Sequence, residues 1–141
     1  MKHRRINSLA ILLILIEILL VSCSTSKLET SSTSKLETSI GNLSISRVEM
    51  LAEFANQKPK NAADKILMIY FENIENLTAE SFREASRDVI VVDKHGNEYT
   101  IAISGIHQKE FFLAYITPGS TTDFSLHWPD NKPIPLEIAE Q

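Results

Sequence analysis

Val89-Ile90-Val91-Val92-Asp93-Lys94-His95-Gly96-Asn97-Glu98-Tyr99-Thr100-Ile101-Ala102-Ile103-Ser104 is the stretch that decides the fold class. Its first four residues are all β-branched, which suits a pleated strand better than a helix. Asp93 to Asn97 reads as a turn, because Gly96 can take a positive φ without steric cost. Beyond the turn, Tyr99, Ile101 and Ile103 alternate with Thr100, Ala102 and Ser104, the period of two that marks a half-buried strand.

Downstream of this stretch the same pattern recurs. Phe111 to Ile116 is an apolar strand whose adjacent Phe111 and Phe112 must point to opposite faces. Pro118-Gly119 matches the central pair of a type II turn, in which glycine accepts the positive φ. Thr122, Phe124, Leu126 and Trp128 then alternate with Asp123, Ser125 and His127, which puts Trp128 on the core side and His127 on the polar side. Ile134, Leu136 and Ile138 form a last run, confined by Pro135 to an edge or to an unpaired side.

Upstream, Thr78 can cap a short helix through Arg87, from which Phe82 dips into the core. Ile66 to Phe71 is continuously apolar and predicts a central strand buried on both faces. Gln57 to Asp64, with Pro59 and Asn61, is a loop. Leu43 to Ala52 has two readings. Ser46 and Glu49 would make a capping box for a helix, whereas Ile45, Val48 and Met50 suit a strand with an irregularity; the strand reading is preferred.

About a hundred residues from Asn42 onward suffice for one domain and its core. Seven candidate strands in that length predict an all-β fold, an immunoglobulin-like antiparallel β-sandwich over residues 43–141 with one short inserted helix. A resemblance points the same way. The strand ending at Phe71-Glu72-Asn73, then Asp93 to Tyr99, then Thr117-Pro118-Gly119-Ser120, then the strand closing on Trp128-Pro129-Asp130 together resemble the telokin-like immunoglobulin domains of unknown function found in bacterial lipoproteins. The likeness spans Ser44 to Glu140 and departs from the usual pattern at the Thr78 to Arg87 insertion. It implies a fold and an extracytoplasmic place, and it brings no catalytic residues.

The N-terminal third is organised differently. Lys2, Arg4 and Arg5 precede an almost unbroken apolar run from Ile6 to Val21, the order of a secretory signal. Sixteen residues are short for a membrane span, which needs roughly 20. Glu17 is an anomaly in that run, though near its end. Leu20-Val21-Ser22-Cys23 then resembles the lipobox of bacterial lipoprotein precursors. The resemblance implies removal of residues 1–22, acylation of Cys23, and a membrane anchor made of acyl chains. Several chains anchor stably where one, at about 0.8 kcal/mol per buried methylene, does not. In a two-membrane envelope, Ser24 after the cysteine implies the outer membrane by the same resemblance; otherwise the anchor lies in the outer face of the cell membrane.

Residues 24–31 read STSKLETS and residues 32–39 repeat them identically. Leu28 and Leu36 are the only sizeable apolar groups here, so residues 23–42 are expected to be a disordered linker between anchor and domain. Some 18 residues of such a spacer would hold the domain on average about 20 to 25 Å from the bilayer.

Removing residues 1–22 takes away three of the 14 Lys and Arg and one of the 18 Asp and Glu, leaving 11 against 17 and a net charge of −6. Such an acidic chain is a poor nucleic-acid binder. With its single cysteine acylated, no thiol remains for a disulfide or a metal. His95, His107 and His127 have no metal-site spacing, the acidic residues form no calcium loop, and the glycines form no phosphate loop. The sequence therefore predicts no enzyme, no cofactor and no metal. It predicts a lipid-anchored binding or structural module of the cell envelope, with an envelope protein as its conceivable partner. The alternatives are a small-ligand or metal-binding lipoprotein, or an inhibitor of a cell-wall enzyme using Gln57 to Asp64 or Gly105 to Lys109 as its protruding loop.

Overall fold

The computed structural model describes residues 35–72 and 74–139. These residues form an all-β fold with one short helix. The elements run β1 (Lys35–Thr38), β2 (Gly41–Leu51), β3 (Asp64–Phe71), α1 (Ala79–Ala85), β4 (Ile90–Asp93), β5 (Glu98–His107), β6 (Glu110–Pro118), β7 (Phe124–His127) and β8 (Ile134–Leu136). All pairings are antiparallel, in one curled sheet of order β1-β2-β3-β6-β5-β4-β7-β8.

The apolar run of β3 occupies the middle of this sheet, paired with β2 on one side and β6 on the other. Its alternate side chains serve two apolar clusters. Leu67, Ile69 and Phe71 face the inside of the curl with Val48, Leu113, Tyr115 and Leu126, while Ile66, Met68 and Tyr70 join Phe112 and Ala114 on the opposite face. A period of two with apolar residues at every position requires burial on both sides, and that is what β3 has. The curl closes where the chain beyond β8 returns to β2, with Ala139 N donating to Val48 O at 3.0 Å.

Of Leu43 to Ala52, the residues through Leu51 are strand, and the irregularity is a register shift between Ile45 and Arg47 in the pairing with β3. Thr78 caps α1 by accepting from Ser81 N at 3.1 Å, and Phe82 is fully buried against Phe111, with ring centroids 4.8 Å apart. The helix stops at Ala85, two residues before the predicted end: Ser86 is its C-cap, with φ −92° and ψ 2° outside the helical region, and Arg87 N tightens the last turn by donating to Glu84 O at 3.3 Å. β8 lies at the edge of the sheet, where Pro135 costs no ladder hydrogen bond.

Two expectations are corrected. Gly119 does not carry a positive φ. The turn there starts at Pro118, whose carbonyl accepts from Thr121 N, and glycine is needed because a Cβ would meet Ala63 O at 2.9 Å. The second correction concerns the linker. Residues 35–38, expected to belong to the spacer of residues 23–42, form β1 and pair with β2 from Lys35↔Ser44 to Thr38↔Gly41. One leucine is too little to order an isolated segment, but Leu36 does not act alone: it enters a core that the rest of the domain has already built. The remainder of the spacer, the expected signal peptide and Cys23 lie outside the described residues.

Candidate functional site

The seat of β1 is the most specific construction on the described surface. Leu36 is fully buried in the inner cluster, and Ser39-Ile40 turn the chain into β2 through a positive φ at Gly41. Thr38 Oγ1 secures that turn by donating to Gly41 O at 2.7 Å and accepting from Ile40 N at 3.3 Å. The outer edge of β1, which would otherwise expose unpaired backbone, is closed by a side chain. Asn131 Oδ1 accepts from Glu37 N at 3.3 Å while its Nδ2 donates to Glu37 O at 2.9 Å. The amide thus imitates a neighbouring strand. It is aimed by the turn before it, in which Pro129 and the positive-φ Asp130 are the central pair and Asn131 N donates to Trp128 O.

Beside this seat lies a groove of about 540 Å³ between the β1–β2 turn, α1 and the Trp128 to Asp130 turn. Glu37, Glu84, Asp88 and Asp130 line it, with Trp128 at its apolar end. Four carboxylates give it a negative potential that favours cationic groups over anions.

A second polar construction closes the β4–β5 turn. Asp93 Oδ1 accepts from His95 N at 2.8 Å and Asn97 N at 3.0 Å, and Oδ2 accepts from Asn97 Nδ2 at 2.8 Å and Tyr99 OH at 3.0 Å. The Asn97 side-chain bond, with the backbone donors and Tyr99, holds the Asp93 carboxyl well below the usual carboxylate range. Four donors on one carboxylate consume its acceptor capacity, so this aspartate holds a turn and has no free lone pair for catalysis or metal.

On the face of β2, β3 and β6 away from the inner core, Arg47 lies 3.6 Å over the Tyr70 ring and pairs with Glu49 and Glu110. Ser46 Oγ donates to Glu110 at 2.6 Å. Burial raises the Tyr70 phenol, against the Arg47 interaction that lowers it. Every charge of this cluster has a partner, which makes it a staple across three strands.

The residues singled out from the sequence are scattered. Trp128 is 5% exposed and stands edge-on to Phe71, as its register required. Phe111 and Phe112 do face opposite sides, and neither is exposed: α1 covers the first, while Phe54 and Tyr70 flank the second. His95 is in the turn held by Asp93. His107 meets the Phe54 ring edge-on at 5.4 Å, and His127 Nε2 lies 2.9 Å from Ser125 Oγ on the side of β7 opposite Phe124 and Leu126. Gln57 folds back on Phe54 through two backbone hydrogen bonds, and Gly105 to Lys109 is mostly strand ending in a two-residue hairpin. Asn131 was not anticipated; its signal was the Pro129-Asp130 turn immediately before it.

Among the described residues no three of His, Cys, Asp and Glu stand close enough to hold a metal ion, and no helix is long and apolar enough to cross a membrane. No protein-family model, no curated protein and no solved structure matches the chain.

Proposed function

We propose that this protein is a lipid-anchored, extracytoplasmic binding or structural module of a bacterial envelope, displaying a rigid β-domain from an acylated Cys23. The observation that carries this reading is the order of basic residues, apolar run and Leu20-Val21-Ser22-Cys23 in the sequence. With β1 starting at Lys35, the spacer left between Cys23 and the domain is residues 24–34, about 17 to 20 Å in root-mean-square extension if it behaves as a random coil.

The finer fold belongs to the same proposal. β5 pairs with β4 at Glu98–Thr100 and with β6 from Ile101 onward, and its register shift lies between Ile101 and Ile103. A strand that changes partner at an irregularity is how one curled sheet becomes two facing layers. β1-β2-β3-β6-β5 on one side and β4-β7-β8 on the other are then the sheets of an immunoglobulin-like sandwich.

Intact mass of the membrane-extracted protein, with and without Cys23→Ser, tests the anchor. An N-terminus at Cys23 carrying acyl mass, lost on substitution, supports it. An unmodified N-terminus would sink it. Crosslinking in the native envelope then identifies the partner.

A further inference from the structure

The groove beside β1 gathers carboxylates that have no counterion. Elsewhere Glu49 and Glu110 answer Arg47, Glu53 answers Lys58 and Asp123 answers Lys94. The side chains of Glu37, Glu84, Asp88 and Asp130 make no ion pair or hydrogen bond among the described residues, of which no Lys, Arg or His lines the groove. They are also dispersed, since no three of them stand close enough to hold one metal ion. Such a set suits several cationic groups on one molecule better than a point charge.

Trp128 supplies an independent sign of a ligand. The residue is 5% exposed, and its indole N–H has no hydrogen-bond partner among the described residues. No side-chain nitrogen or oxygen there is both sealed from solvent and unpartnered. Nε1 of Trp128 is therefore open, and the surface that Trp128 lines is the groove. A buried tryptophan ordinarily finds an acceptor for this donor; here the acceptor is left to whatever occupies the groove. The walls are fixed in advance. Asn131 clasps Glu37 by both backbone groups, Thr78 caps α1, and Asn131 N closes the Pro129-Asp130 turn on Trp128 O. A preorganised site spends little entropy on binding.

We propose that this groove binds a basic peptide segment in extended form, its Lys or Arg side chains meeting the four carboxylates while a main-chain carbonyl accepts from the Trp128 indole N–H. Alternate residues of an extended chain project to the same side about 6.6 Å apart, which distributes positive charge along the groove. A fully protonated polyamine would satisfy the carboxylates but offers the indole no acceptor. The volume of about 540 Å³ lies within the range of sites that enclose small ligands, roughly 300 to 1,000 Å³. The assignment rests on the binding-module half of the function proposed above and is independent of the lipid anchor.

A titration of the ¹⁵N-labelled full chain in detergent micelles tests it, followed through the indole N–H signal of Trp128, the sole tryptophan. The probe is acetyl-Lys-Ala-Lys-Ala-Lys-amide; the reference is spermidine, which carries the same positive charge without an acceptor. The peptide is expected to move the indole proton downfield to saturation, and spermidine to leave it in place. Glu84→Gln with Asp88→Asn, both at exposed positions, should weaken the peptide by about two- to thirtyfold, the worth of two exposed ion pairs. Glu75→Gln with Glu98→Gln removes the same charge from exposed positions outside the groove. It should leave the affinity within about twofold, because charges beyond a Debye length of about 8 Å are largely screened.

No saturable shift, or equal weakening by the two double variants, overturns the groove as a site. An equal shift with spermidine overturns the peptide as its ligand and assigns the groove to a polyamine. None of these results touches the anchor, which stands or falls on the acyl mass of Cys23.

Discussion

At the scale of single residues, Asp93 shows how a turn legible in sequence acquires its stability from chemistry that is not. The Asp93 to Asn97 turn was predicted from Gly96, which does adopt a φ of +84°. The four donors converging on the carboxylate come from the geometry of the closed turn. Because the folded-state pKa is depressed, this stability is present above the ordinary carboxylate value of about 4 and is lost as pH falls through and below it. Denaturant midpoints between about pH 6 and pH 2 should therefore fall on acidification in the natural chain. They should fall less steeply in Asp93→Asn; equal slopes would remove Asp93 from the acid response. Trp128 makes a different kind of prediction. Buried between Phe71 and Phe82, it should cost about 3 to 5 kcal/mol when replaced by alanine, measured by equilibrium unfolding.

At the scale of elements, two of the two-residue turns depart from the residue pair their geometry favours. β5 and β6 are joined by Gln108 and Lys109 at φ +49° and +71°, and Phe54 and Gln57 by Ala55 and Asn56 at +50° and +62°. Positive φ at both central positions marks the primed turns that match strand twist, which ordinarily use Asn-Gly. Neither turn could be recognised from sequence, because Gln-Lys and Ala-Asn carry no such signal. Gln108→Asn with Lys109→Gly should raise stability by about 0.5 to 1 kcal/mol, seen as a higher thermal midpoint. A lower midpoint would mean that these side chains contribute contacts worth more than the backbone strain. β1 was missed for a related reason. Its four residues carry one buried apolar side chain, and local composition cannot weigh a core assembled from strands up to a hundred positions away.

At the scale of the whole molecule, the curl of the sheet brings the two ends of the described domain, β1 and the residues after β8, to one strand. β1 pairs with the start of β2, Ala139 bonds its middle, and Asn131 closes the outer edge of β1. β1 is thus a component of the domain, and the tandem repeat is in part structural. Deleting one octapeptide gives the same chain whichever copy is removed. That chain keeps β1 with its short turn and should unfold within about 0.5 kcal/mol of the natural protein, since distant surface changes rarely exceed this. Deleting both copies should cost roughly 2 to 5 kcal/mol, the range for removing one buried leucine, together with its pairing. Equal stability of all three chains would return residues 35–38 to the spacer.

By itself the sequence determined the elements with strong periodic signals: the doubly buried β3, the alternating β5 and β7, the Thr78-capped helix and the Gly96 turn. In each, the deciding interaction lies within a few residues, so local order and alternation carry it. Only the tertiary structure decided the strand order, the fate of Lys35–Thr38, the Asn131 clasp and the role of Gly119. Those depend on which backbones come together once the core is assembled. Glu37 and Asn131 stand 94 residues apart, and the β-sheet, whose hydrogen bonds join strands remote in sequence, is where such partners are chosen.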